Sequence, residues 1–152
     1  MISISMKKNN DVKIKLFYCF CSVPLSYGNS TYYLHETTMN WREAFGYCTQ
    51  IGGHLAVADD ATDFTFMRQI YLNYRAAGGA THAWVDGSDY VIEGKWRCES
   101  IDAPCPYLSW QDGQPGAASL RQHCLCFAHT SLGFHDCGCD LNLAVICEFS
   151  SC

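Results

Sequence analysis

Cys124-Leu125-Cys126-Phe127-Ala128-His129-Thr130-Ser131-Leu132-Gly133-Phe134-His135-Asp136-Cys137-Gly138-Cys139 carries two Cys-x-Cys pairs that mirror each other about a turn. The pattern predicts two antiparallel strands, about 124–128 and 132–137. The mirrored pairs then face each other, so nested bridges Cys124–Cys139 and Cys126–Cys137 sit two residues apart on one face. The same four cysteines with His123 and His135 offer zinc its preferred thiolate and imidazole ligands. That reading weighs less, because structural zinc sites usually space their cysteines by two to four residues and thiols outside the cell are mostly oxidised.

Eleven cysteines in 152 residues point to a disulfide framework made in an oxidising compartment. The start of the chain reads as a secretory signal. Lys7, Lys8, Lys13 and Lys15 form a basic region, 16–25 an apolar run, and Ser26-Tyr27-Gly28 a small-x-small cleavage site. Residues 1–28 are therefore expected to be removed and 29–152 to form one domain. The apolar run is too short to span a bilayer, so no membrane insertion is expected. After that cut six Lys and Arg face fourteen Asp and Glu, a net charge of -8. An acidic surface does not suit nucleic acid or an anionic membrane, both of which demand clustered cations. Asn29-Ser30-Thr31 is a glycosylation sequon.

Along the domain, Tyr32 and Tyr33 open a short strand ending near His35. A helix capped by Thr37 or Thr38 follows over about 39–50, with Trp41, Ala44, Phe45 and Cys48 on one face. Leu55-Ala56-Val57 reads as a brief strand. A second helix starts at Asp59 or Asp60, buries Phe64, Met67, Ile70, Tyr71 and Tyr74, and stops at Gly78-Gly79. Short strands are expected at 83–85, 94–97, 124–128, 132–137 and 144–149, with a long irregular stretch over 99–122 where function is to be sought. The fold class is α+β: two helices packed on small antiparallel sheets, stapled by disulfides.

Five pieces in order then resemble the C-type lectin-like domain: Trp41-Arg42-Glu43-Ala44 with Cys48 and Gly52-Gly53-His54-Leu55-Ala56; 83–87; Trp110-Gln111-Asp112-Gly113-Gln114-Pro115; and Val145-Ile146-Cys147-Glu148-Phe149. The resemblance covers about 32–149. It implies the double-loop α+β fold of that family, with the first helix tied to the last strand by Cys48–Cys147, and Cys124–Cys139 as its second bridge. Cys98 and Cys105 are then left to staple the base of the long loop. Cys152 is the odd cysteine, which suggests an intermolecular disulfide in a homodimer or heterodimer.

In sugar-binding members the long loop holds a calcium ion that itself coordinates sugar hydroxyls. Carried over by position, the resemblance places those ligands at Gln114-Pro115-Gly116, at Gln122, and at His135-Asp136. Calcium takes six to eight hard oxygens, several of them charged. Here Gly116 has no side chain, Gln122 is a neutral amide, His135 offers nitrogen, and only Asp136 is charged, so calcium binding is expected to be weak or absent and no other cofactor is expected. The resemblance also implies a cis Pro115. The expected function is a secreted lectin that binds a glycan or small sugar directly through Gln114, Gln122, His135 and Asp136. Trp110 or Phe134 would stack on the sugar, and dimerisation would raise avidity. Trp84 and Trp96 are read as core; Trp110 suits either core or stacking. The alternative is a module for a protein ligand, its acidic charge suiting a basic partner. No Gly-x-Ser-x-Gly elbow, His-Glu-x-x-His helix or phosphate loop appears, so an enzyme is not expected.

Overall fold

The computed structural model describes residues 2–6, 12–16, 25–116, 121–129 and 132–150. Cys19, Cys21 and Cys152 lie outside the described residues, and so does the intermolecular bridge expected at Cys152. Strands β1 (Ile2–Met6) and β2 (Val12–Leu16) pair antiparallel with each other. β3 (Leu25–Tyr27), just ahead of the expected cleavage point, pairs with β4 (Ser30–Met39) through the turn at Gly28.

β4 runs four residues past the expected end near His35, because Leu143 of the last strand pairs as far as Met39. The helix therefore cannot be capped by Thr37 or Thr38. Asn40 caps α1 (Trp41–Gln50) instead: its Oδ1 accepts from Glu43 N at 2.9 Å and Glu43 Oε2 accepts from Asn40 N at 3.0 Å, a reciprocal capping box. β5 (His54–Leu55) follows. Asp60 caps α2 (Ala61–Ala76) by accepting from the Thr62 and Asp63 amides, and the expected stripe from Phe64 to Tyr74 is buried. Gly78, at φ +88, supplies the left-handed turn that ends the helix.

The remaining strands are β6 (His82–Ser88), β7 (Arg97–Cys98), β8 (Ala103–Pro104), β9 (Cys124–Ala128), β10 (His135–Cys137) and β11 (Leu143–Ser150). The expected strands at 94–97 and 132–137 are shorter than the sequence pattern suggests. The main sheet runs β10-β9-β6-β11-β4-β3; β6 and β11 are parallel and the other neighbours antiparallel.

Side chains alternate across this sheet. Val85, Phe127 and Ile146 join the stripe of α2 in one core, whereas Trp84, Cys126 and Val145 join Trp41, Ala44 and Leu55 in the other. The helices thus cover opposite faces of the central strands. Four disulfides are formed: Cys48–Cys147, Cys98–Cys105, Cys124–Cys139 and Cys126–Cys137. With those eight thiols oxidised, the zinc reading of the Cys-x-Cys pairs falls.

Candidate functional site

The long loop leaves the sheet at a clamp made by Asp86. This carboxylate, 1% exposed in β6, accepts from the Glu99 amide at 3.1 Å and the Ser100 amide at 2.8 Å. Burial raises its pKa, and these hydrogen bonds offset only part of that rise. Cys98–Cys105 closes the base of the loop. Farther on, Phe134 N donates to Ser109 O at 2.7 Å and Gln111 N to Phe134 O at 3.0 Å, so the loop pairs with the segment before β10 as a short bridge between Trp110 and Phe134. Gly133 permits that approach: a Cβ there would lie 2.3 Å from Gln111 N and from Trp110 C.

Past the bridge the Gln114–Pro115 peptide is cis. The next residue meets β10: the Gly116 amide donates to both oxygens of Asp136 at 2.8 Å, and Asp136 is buried. Gln122 Oε1 lies 3.2 Å from the place where a Gly116 side chain would start, with the Asp136 oxygens 3.4 Å from it. The structure thus brings Gly116, Gln122 and Asp136 together, and Gln114, two residues earlier in the loop, is half-buried. The only carboxylate among these residues already serves a backbone amide. The remaining donors are neutral, so the set falls short of what calcium takes.

His135 and Phe134 do not meet this group as the sequence suggested, and Trp110 takes up the core packing that was one of its two expected roles. His135 and Asp136 are neighbours in a strand and leave opposite faces. Asp136 meets Gly116, whereas the His135 ring sits 6.3 Å from His129. Phe134 is buried against Phe64 and Phe127, so it cannot stack on a ligand. Trp110 is half-buried, edge-on to Trp96 at 5.0 Å, and packs on the α2 core. Among the described residues, Gln114 Oε1 and His135 Nε2 are buried polar atoms without a hydrogen-bond partner.

A second group was not singled out from sequence. His123 Nδ1 lies 3.1 Å from Asp89 Oδ1 and 3.5 Å from Glu93 Oε2, and the Gly94 amide donates to Asp89 Oδ2 at 2.8 Å. Their ligand atoms all lie within 4.8 Å of one another. Two carboxylates and an imidazole can hold a divalent cation or, with the ring protonated, pair as ions. Asp89 and Glu93 flank a turn four residues apart, but only the fold brings His123 from beside β9. Next to this group opens a groove of about 340 Å³ lined by Trp41, Arg42, Tyr90, Val91, Lys95 and Arg97. Tyr90 and Val91 are 77% and 85% exposed.

Residues 37–149 match the family described as Lectin C-type domain. The chain belongs to the C-type lectin domain family. It is 32% identical over 96 residues to perlucin of Haliotis laevigata, covering 63% of this chain and 59% of that one. It is 29% identical over 98 residues to the galactose-specific lectin nattectin of Thalassophryne nattereri, covering 64% and 60% respectively. The chain thus spans about three fifths of the length of each. Human lithostathine shares the fold with a TM-score of 0.73 at 20% identity, covering 84% of this chain and 88% of that one. Its family is one of lectin domains and not of enzymes. No helix among the described residues is long and apolar enough to cross a membrane.

Proposed function

We propose that this C-type lectin domain works outside the cell and binds a sugar directly, without calcium, at the surface formed by the loop around Gln114-Pro115-Gly116 together with Gln122 and the edge of β10. One observation carries the reading: the Asp136 carboxylate is clasped by the Gly116 amide. That clasp joins loop to strand, so the loop holds its shape with no cation between them. Half-buried amides at Gln114 and Gln122 line the surface, and amides both donate to and accept from sugar hydroxyls. Four disulfides support an extracellular setting, since such bonds are rare in a reducing cytosol. Nattectin, a relative, is galactose-specific by name, which makes galactose a natural first probe. A covalent dimer through Cys152 would add avidity.

A protein ligand is the second reading, and the groove beside Tyr90 and Val91 favours it: two strongly exposed apolar side chains next to Lys95 and Arg97 form a patch of the kind that partners cover. The experiment that separates the two is retention of the oxidised protein on immobilised galactose and acetylated amino sugars, in calcium and again in excess chelator. Retention that survives chelation and falls in Gln122→Ala supports the sugar reading. Retention lost with the chelator overturns calcium independence, and no retention in either buffer transfers the assignment to a protein ligand.

A further inference from the structure

Asn29-Ser30-Thr31 is the one acceptor sequon for an N-linked glycan in the chain, and neither reading of the ligand site uses it. The structure places it on a hairpin. Tyr27 of β3 stands opposite Ser30 of β4, so Gly28 and Asn29 alone make the turn. Gly28, at φ +57, takes the first turn position, where a two-residue hairpin asks for glycine. Asn29 is exposed, and a Cβ at Gly28 would meet nothing within 4 Å, so the tip stands in open space. The other two sequon residues are half-buried and tied into the sheet. Ser30 Oγ donates to Glu148 Oε1 at 2.6 Å, and the Ser26 and Thr31 hydroxyls lie 3.0 Å apart.

We propose that Asn29 carries an N-linked oligosaccharide and that the mature chain keeps β3 ahead of it. The donor is a polyprenyl-diphosphate-linked oligosaccharide of the secretory pathway. The Asn29 amide nitrogen forms a bond to C1 of the first sugar while the bond from C1 to the diphosphate oxygen breaks. The nitrogen gives up one proton, and the polyprenyl diphosphate leaves. This rests on the extracellular reading above, because a chain meets that donor only on its way out of the cell.

The fold has room for the glycan. β3 ends the sheet order β10-β9-β6-β11-β4-β3, whereas the proposed sugar surface lies on β10 at the other margin. Five strand spacings of about 4.8 Å put about 24 Å of sheet between them, so a glycan on the β3–β4 tip leaves that surface open. β3 also belongs to the domain. Leu25 pairs with Tyr32, Ser26 with Thr31 and Tyr27 with Ser30, and the strand lies beside α2. Cleavage after Gly28 would strip this strand from β4 and bare the edge of β4. It would also make Asn29 a terminal residue, with a charged amine in place of its peptide bond. Cleavage ahead of Leu25 keeps both the strand and the acceptor turn.

The test is expression of the full chain in insect cells, with medium and cells analysed separately. Secreted protein is treated with peptide N-glycosidase in heavy-oxygen water, and its peptides and N-terminus are read by mass spectrometry. The expected result is faster gel migration after treatment, conversion of Asn29 to labelled aspartate, and an N-terminus at or before Leu25. Asn29→Gln and Thr31→Val should each abolish the gel shift, whereas Ser30→Ala, which leaves the sequon intact, should keep it. The labelled peptide of the natural chain decides the matter even where a variant fails to fold. Secreted protein that lacks a glycan at Asn29, or that begins at Asn29, overturns the proposal and leaves the extracellular reading standing. Protein held in the cytosol with reduced thiols overturns both.

Discussion

Acidification should destabilise this domain through His35, by an amount that can be worked out. His35 lies in β4 opposite Val145 and is 8% exposed. Its Nδ1 is 2.9 Å from the Tyr47 hydroxyl, its ring packs against Tyr33 and Tyr47, and its Nε2 has no partner among the described residues. Burial lowers its pKa to about 4. In the unfolded chain histidine titrates near 6.5. Between those values the folded state binds fewer protons than the unfolded one, so stability rises with pH in that window. The contribution is fully present above about pH 6.5 and is lost as pH falls toward 4. Between pH 7.5 and 5.0 the two values correspond to a loss of about 2 kcal/mol.

Buried Glu148, Asp63 and Asp86 have raised pKa values, caused first by desolvation, and oppose this trend in the acid range. The informative quantity is therefore a difference between proteins. His35→Gln keeps a hydrogen-bonding side chain for Tyr47 and removes the titration. Urea unfolding of both proteins at pH 7.5 and 5.0, disulfides intact and followed by tryptophan fluorescence, should show the natural protein losing about 2 kcal/mol more than the variant. Parallel losses, within about 0.5 kcal/mol of each other, would refute the reasoning and show that His35 accepts a proton in the folded state as readily as in the unfolded one.

Two further substitutions probe how the loop is held. Gly133→Ala drives a methyl group into the backbone of Trp110 and Gln111; it should cost about 2 kcal/mol or more and shift Trp110 emission, and unchanged stability would mean that the loop does not approach β10 this closely. Asp86→Ala leaves the Glu99 and Ser100 amides without their acceptor; unfolding should become easier by about 2–5 kcal/mol, and a rise in thermal midpoint would contradict the clamp.

Much of the fold was legible in the sequence because it is written locally. The 3.6-residue stripe from Phe64 to Tyr74 requires a helix with one buried face. The mirrored Cys-x-Cys pairs suit two antiparallel strands, and the lectin pieces stand in family order. Boundaries were less legible where a distant strand competes with a local signal. Thr37 and Thr38 look like helix caps, yet pairing with β11 keeps the chain extended through Met39 and passes the cap to Asn40.

What the sequence by itself determined is therefore chemistry and pattern: an acidic, cysteine-rich lectin domain whose loop lacks the charged oxygens that calcium needs. Which atoms meet was decided only by tertiary structure. Adjacent residues His135 and Asp136 look like one pair of ligands in the chain, but strand geometry sends them to opposite faces. One is clasped by Gly116 and the other lies toward His129. His123 meets Asp89 across 34 positions of sequence for the same reason. A side chain's type is carried by its own codon, but its neighbours depend on strand order and register, which long-range packing of the whole core selects.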